Sequence, residues 1–162
     1  MKLYFAAPLF TTAERAFNKA LAARLEAGGH EVFLPQERGP SDEHDAPNGG
    51  EGATPRARSM SARAILEKNL RGLDWAEGVV AVMDGTDPDS GTAWECGYAY
   101  ARGKPTVMVR TDLRAAGDTD GSPYNAMLSG SADARVDIAL ASIDEAAEAI
   151  LAALAETSRD AI

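Results

Sequence analysis

The 162-residue chain has very few of the side chains that bind transition metals or form disulfides: one cysteine and two histidines. A single cysteine excludes an intramolecular disulfide, and the cysteine and histidines show no spacing typical of a zinc site. A lone cysteine beside a glycine in a predicted helix is most often a small packing residue, and we expect that role for Cys96. The sequence therefore predicts no metal site.

Long hydrophobic runs and an excess of positive charge are also missing. No apolar run approaches the ~20 residues of a membrane span, and the apolar start of the chain is too short for the core of a secretory signal. The net charge of −9 argues against a nucleic-acid-binding surface, which is normally basic. We expect a cytoplasmic protein with no nucleic-acid or membrane partner, folded as a single domain over residues 1–162.

Short apolar runs alternate with amphipathic stretches, which is the rhythm of βαβ units. Strands are predicted at 3–7, 31–34, 79–83, 105–109 and 135–140. Helices are predicted between a capping box at 11–14 and glycines at 28–29, at 56–76, 90–102 and 123–128, and after a second capping box at 142–145. The pattern predicts an α/β fold: a doubly wound, flavodoxin- or Rossmann-like sheet of five parallel strands with helices on both faces. No G-x-G-x-x-G is present, so the first loop is not a dinucleotide fingerprint.

Composition changes at about 36–54, where Gly, Pro, Asp, Glu and Asn dominate. A segment of this length with almost nothing to bury is unusual in a compact domain. We expect a long mobile loop, acting as a lid or forming a disordered insertion.

Two carboxyl groups follow the third predicted strand. Asp89 stands at the start of the next helix, where it is a good N-cap, and Glu95 lies about one and a half turns further on. Ligands of open parallel sheets bind beyond the carboxyl ends of the strands, near such helix starts. Two carboxyls at that place suit glycosidic-bond chemistry, in which one attacks the sugar and the other manages a proton.

Four segments in matching order resemble the nucleoside 2-deoxyribosyltransferase family: Tyr4–Phe10, His30–Gln36, Asp89–Ala99 and Asn125–Met127. The specific part is the run D-S-G-T-A-x-E-x-G-Y-A that begins at Asp89. The resemblance implies a five-stranded doubly wound sheet and a homo-oligomer as the working unit.

The resemblance also implies roles for individual side chains. Glu95 matches the nucleophile that attacks the anomeric carbon of a 2′-deoxyribonucleoside, Asp89 an acid that handles the nucleobase, and Tyr4 a tyrosine that orients the nucleophile. Asn125 matches a residue lent to the neighbouring subunit's site, where it contacts the sugar 5′-hydroxyl. Asn69 stands where many members carry an acidic residue. An amide can orient the base but cannot deliver a proton, so more of the acid role is expected of Asp89.

Four further residues are predicted to bind substrate: Phe10, Gln36 and Met127 as walls of the base pocket, and Gly91 within the specific run. The predicted reaction transfers a 2′-deoxyribosyl group between nucleobases through a covalent bond to Glu95, with retention, and with hydrolysis as a side reaction. It needs no metal or organic cofactor, and its partners are 2′-deoxyribonucleosides and free nucleobases.

Two alternatives stay open at this point. A 2′-deoxynucleoside 5′-monophosphate N-glycosidase has the same fold and nucleophile but must hold a phosphate. The uncharged first loop, 6–10, favours a free nucleoside, whereas Arg110 and Arg114 leave a phosphate within reach. A non-catalytic nucleotide-binding module on the same kind of sheet is the other alternative.

Overall fold

The sheet has five parallel strands in the order β2-β1-β3-β4-β5. The computed structural model describes residues 1–37, 61–115 and 117–157. In these ranges the strands are β1 (Lys2–Ala6), β2 (Glu31–Phe33), β3 (Gly78–Val82), β4 (Thr106–Arg110) and β5 (Ala134–Asp137). The helices are α1 (Thr12–Ala27), α2 (Ala62–Trp75), α3 (Ser90–Ala101), α4 (Ala126–Ser131) and α5 (Ile143–Thr157). The predicted doubly wound α/β fold is confirmed. Of the predicted loop at 36–54, residues 38–54 lie outside the described ranges.

Two apolar layers cover the two faces of the sheet. On one face, Leu3, Phe5 and Val80 pack with residues of α1 and α5. On the other face, Tyr4, Ala81 and Met108 pack with residues of α2 and α3, including the buried Cys96. Because neighbouring residues of a strand point to opposite faces, β1 supplies both layers. Burial of Cys96 matches its expected packing role, and it raises the pKa of the thiol to about 12, so the thiol stays protonated at neutral pH.

Side-chain caps begin three of the helices as the sequence predicts. Thr11 and Glu14 form a reciprocal capping box at α1, with Glu14 N donating to Thr11 Oγ1 at 3.2 Å and Thr11 N to Glu14 Oε2 at 2.7 Å. Asp89 caps α3 through Thr92 N at 2.9 Å. At α5, Ser142 and Glu145 make the second box.

In two predicted elements the boundaries are wrong by three residues. The short helix starts at Ala126 and not at 123, because Asn125 is its cap and Asp118 accepts from Ala126 N at 2.7 Å. The last strand is shorter than 135–140 and ends at Asp137, close before Leu140, which has a positive φ of 59°. The second helix is described from Ala62, after its cap Ser61, and the first predicted residues, 56–60, lie outside the described ranges.

No helix within the described ranges is both long enough and apolar enough to cross a bilayer. Those ranges also hold no cluster of three or more His, Cys, Asp or Glu side chains suited to a metal ion.

Candidate active site

The Glu95 carboxylate receives two hydrogen bonds on a single oxygen. The Tyr4 hydroxyl donates to Glu95 Oε1 at 2.5 Å, and Asn69 Nδ2 donates to the same atom at 3.1 Å. Tyr4 lies on β1, Asn69 on α2 and Glu95 on α3, so three elements distant in sequence converge here. The described residues give Oε2 no hydrogen bond, which leaves that oxygen able to contact a ligand.

Burial and ring stacking hold the Tyr4 side chain that donates to the Glu95 carboxylate. Its side chain is fully buried, and its ring stacks on Phe33 of β2 with centroids 5.5 Å apart and planes 15° apart. Burial, followed by the nearby Glu95 charge, raises the pKa of the phenol far above its usual range. Tyr4 therefore remains a neutral donor and fixes the rotamer of Glu95.

Burial raises the pKa of Glu95 to about 7, and the Asp89 charge adds to the rise, while the hydrogen bonds from Tyr4 and Asn69 oppose it. The carboxyl group thus titrates near neutral pH. A carboxylate that is poorly solvated but held in one orientation is a better nucleophile than one surrounded by water.

Asp89 is the second carboxyl group of the site. Its Oδ2 accepts from Thr92 N at 2.9 Å and from Thr92 Oγ1 at 3.2 Å, and it is close enough to Glu95 to affect the pKa of that residue. A Cβ added to Gly91 would lie 3.0 Å from Asp89 Oδ2, so a glycine here leaves the carboxylate uncrowded.

Phe10 and Gln36 stand near the start of α1. Phe10 is 75% exposed. Gln36 is tied to α1, because its Nε2 donates to Arg15 O at 2.7 Å and its Oε1 accepts from Asn18 Nδ2 at 3.2 Å. Neither side chain contacts the Tyr4–Asn69–Glu95 cluster within the described part of the chain, and their roles in the base pocket stay predictions.

Asn125 and Met127 lie on the other side of α3. They line an apolar groove of about 670 Å³ between α3 and α4. The α3 residues in this groove are Ser90, Ala93, Gly97 and Tyr100, which form one helical stripe, whereas Glu95 faces Tyr4 and Asn69. Asn125 caps α4 and donates to Asp118 Oδ2 at 3.0 Å. The groove and the carboxylate cluster are therefore two separate regions within one chain.

The two arginines that left a phosphate within reach are both engaged. Arg110 is only 2% exposed and donates to the backbone carbonyls of Met83, Gly85 and Arg114. Arg114 forms an ion pair with Asp112. The Arg110 guanidinium is therefore held in the interior, whereas the Arg114 side chain is 57% exposed beside Asp112.

Two polar residues of the interior were missed by sequence reasoning. Asn18 is 2% exposed and donates to Pro8 O at 2.8 Å, which fixes the loop after β1. The predicted strand at 105–109 stops before Arg110, which instead is the last residue of β4. The available signal was weak: an Asn among the apolar positions of a helix, and an Arg directly after an apolar strand.

Together these residues provide a partly buried carboxylate, with one oxygen held by two donors, beside a second carboxyl group. The pair can attack an electrophilic carbon on one side and deliver a proton to a leaving group on the other. Burial of charge would also strengthen the interaction of Glu95 with a cationic transition state.

Comparison with known proteins gives a family match and several similar solved structures. Residues 3–127 match the family model described as Nucleoside 2-deoxyribosyltransferase. A 2-deoxyribosyltransferase from Bacillus psychrosaccharolyticus is 25% identical, with a TM-score of 0.60, and the match covers 93% of this chain and 96% of that one. A Leishmania mexicana 2-desoxiribosyltransferase is 21% identical, with a TM-score of 0.62 and coverage of 93% and 97%. A CMP N-glycosidase from Clostridium botulinum is 16% identical, with a TM-score of 0.58 and the same coverage. At these lower identities the last two show the fold alone. The comparison with curated proteins gave no match.

Proposed function

The chain belongs to the nucleoside 2-deoxyribosyltransferase family, and we propose that it transfers a 2′-deoxyribosyl group between nucleobases through a covalent bond to Glu95. The observation that carries the proposal is the convergence of Tyr4 and Asn69 on Glu95 Oε1. This arrangement orients the carboxylate and leaves Oε2 for attack on the sugar.

The first half-reaction breaks the bond between C1′ and the base nitrogen. As the base departs, positive charge develops on the sugar ring, and the carboxylate of Glu95 stabilises it and then forms the C1′–Oε2 bond. Asp89 gives a proton to the departing base. In the second half-reaction an incoming base attacks C1′ from the face the first base left, the C1′–Oε2 bond breaks and Glu95 returns to its carboxylate form, and the proton of the incoming base passes to Asp89. Two displacements at the same carbon give retention of configuration.

The reaction is balanced without a metal or redox cofactor. Water in place of the second base releases 2-deoxyribose, so hydrolysis is the side reaction. Tyr4 remains protonated throughout and acts as a positioning group for the nucleophile.

The working unit under this proposal is a homo-oligomer. Asn125 lies in the groove, across α3 from the Glu95 of its own chain. The groove is apolar and open, with Met127 80% and Tyr100 66% exposed. A second protomer seated there would cover these side chains and bring Asn125 to the neighbouring site, as the family resemblance implies.

The decisive experiment is mass spectrometry of the protein after an acid quench with 2′-deoxyadenosine. The expected result is one deoxyribosyl unit on the peptide that contains Glu95, and its absence from Glu95→Ala. Incubation with 2′-deoxyadenosine and cytosine should yield 2′-deoxycytidine. Free adenine as the sole product would make the protein a hydrolase. Activity with the 5′-monophosphate but not with the nucleoside would overturn the substrate assignment.

A further inference from the structure

Arg110, at the end of β4, is the largest fully buried side chain in the described structure. Burying a guanidinium is costly unless its donors are satisfied. Its two terminal nitrogens are satisfied by backbone oxygens: Nη1 donates to Met83 O, while Nη2 donates to Gly85 O at 2.9 Å and to Arg114 O at 2.5 Å. The buried Nε has no hydrogen-bond partner among the described residues. No carboxylate of the described residues forms an ion pair with it. The guanidinium therefore links the loop after β3 to the loop after β4. It does not neutralise an acidic side chain of the described residues.

The same two loops are joined by a second set of contacts. Asp84 accepts from Thr111 N and Thr111 Oγ1, both at 2.6 Å, and from Asp112 N at 3.0 Å. In return, Gly85 N donates to Asp112 Oδ2 at 3.1 Å. The loop after β3 and the loop after β4 therefore form one connected network around Arg110.

Gly85 is the point at which this network controls the chain direction. Its φ is +113°, a conformation that side-chain-bearing residues rarely adopt, and an added Cβ would lie 3.1 Å from Asp87 O. Its N–H and its carbonyl are both held from the β4 side. Asp89, the N-cap of α3, follows four residues later, so the loop that is held at Gly85 leads directly to it.

We propose that Arg110 is a positioning residue that sets the place of Asp89, the proton donor, relative to the sugar site; this rests on the proposed function. Glu95 is held independently, by Tyr4 and Asn69 from β1 and α2. Loss of the guanidinium should therefore impair proton delivery to the leaving base and leave the nucleophile in working order.

The experiment compares two leaving groups in single-turnover reactions of Arg110→Met and Arg110→Lys. Adenine must be protonated to leave 2′-deoxyadenosine, whereas 7-methyl-2′-deoxyguanosine already carries the positive charge and loses its base without a proton. We expect rates with 2′-deoxyadenosine to fall about 10- to 100-fold, the scale of a small misplacement of a catalytic group. Rates with 7-methyl-2′-deoxyguanosine should change less than about threefold. Arg110→Lys, which keeps a buried donor, should show the smaller loss.

The matched control is Arg24→Met, since Arg24 is an exposed arginine of α1 whose ion pair with Asp144 lies away from the site. It should react like the wild type with both substrates. The amplitude of the 7-methyl-2′-deoxyguanosine burst counts the folded sites of each variant. Should neither Arg110 variant fold, Asp84→Asn tests the same network and should show the same dependence on leaving group.

Equal slowing with both substrates, or no slowing with either, would overturn the positioning role while leaving the proposed function standing. A wild-type protein that reacts with neither substrate would instead refute the proposed function, and the inference with it.

Discussion

The two sides of α3 differ in their polar groups and in the cavity that each one lines. On the side that faces β1 and α2, two donors converge on one carboxylate oxygen of Glu95. The side that faces α4 has the large groove, about 670 Å³, lined mainly by small or apolar residues. Tyr4 and Asn69, the donors that converge on Glu95, lie on the side of α3 opposite this groove.

We take the converging polar groups, and not the groove, to mark the side of α3 that is suited to catalysis. Catalysis needs preorganised polar groups in a poorly solvated place, and the Tyr4–Asn69–Glu95 cluster meets that requirement. An open apolar groove with no converging polar groups is more typical of a protein contact. We therefore propose that one side of α3 carries the chemistry and the other the assembly, and each proposal can be tested separately.

Removal of the nucleophile should have the largest effect. Glu95→Ala eliminates the oxygen that bonds to C1′, so we expect base exchange to fall by about 10⁴-fold or more. Exchange between 2′-deoxyadenosine and cytosine, followed by chromatography, measures it. A variant that retains a tenth of wild-type activity would contradict the assignment of chemistry to this side of α3.

Asp89→Asn should come next, with a loss of about 10²- to 10⁴-fold for 2′-deoxyadenosine, the usual range for a general acid. An asparagine still accepts from Thr92 N and is a good N-cap, so the helix start is preserved and only proton transfer is lost. The loss should be smallest for substrates with good leaving groups. Equal slowing for all leaving groups would argue against an acid role.

The fold could be predicted largely from the sequence because its signals are local. The buried run that forms β3, the capping box at Thr11 and the stop at Gly28 each act within a few residues. Prediction failed where a distant side chain decides the outcome. Asp118 holds the start of α4, and no local pattern before Asn125 shows that contact.

Only part of the candidate site could be predicted from the sequence. Family resemblance indicated Tyr4 and Glu95, which are 91 positions apart in the chain yet hydrogen-bonded. Arg110 could not be placed in the same way, because a charged residue after a strand is ordinarily solvated. Its burial becomes apparent only when the two loops are seen together, and this is a property of tertiary structure.

Tyr4→Phe should reduce activity at neutral pH by about tenfold, the scale of one pKa unit. The hydrogen bond from Tyr4 lowers the pKa of Glu95, so its loss moves that pKa above about 7. The nucleophile must be ionised, and kcat/KM should therefore rise with pH through the Glu95 pKa, at higher pH in the variant. Partial recovery at high pH is expected, since the phenylalanine ring preserves the stacking on Phe33. A pH profile that is merely lowered, without a shift, would indicate a purely structural role.

Glu95→Gln should change stability in a pH-dependent way. The folded protein holds the Glu95 proton up to about pH 7, compared with about 4.5 for the unfolded chain. Between these values the folded state binds more protons, so wild-type stability falls as pH rises through that window. In the variant, the glutamine at position 95 has no titratable group. Its free energy of unfolding relative to the wild type should rise by roughly 1–3 kcal/mol from about pH 4 to pH 8. Urea unfolding at both pH values measures this, and parallel pH curves would contradict it.

The smallest effect on rate is expected from the groove side. Gly97 lies in the groove, and an added Cβ there meets no atom within 4 Å, so a side chain is accommodated by the single chain. Gly97→Asp would place a charge against the second protomer, whereas Gly97→Ala adds the same Cβ without charge. We expect the aspartate variant to become monomeric and the alanine variant to remain assembled, as measured by light scattering.

Loss of the neighbour's Asn125 removes one hydrogen bond to the sugar, worth about 3- to 10-fold in kcat/KM, and Asn125→Ala should show the same loss without dissociating. A fully active monomer would separate assembly from catalysis and would confine the active site to one chain.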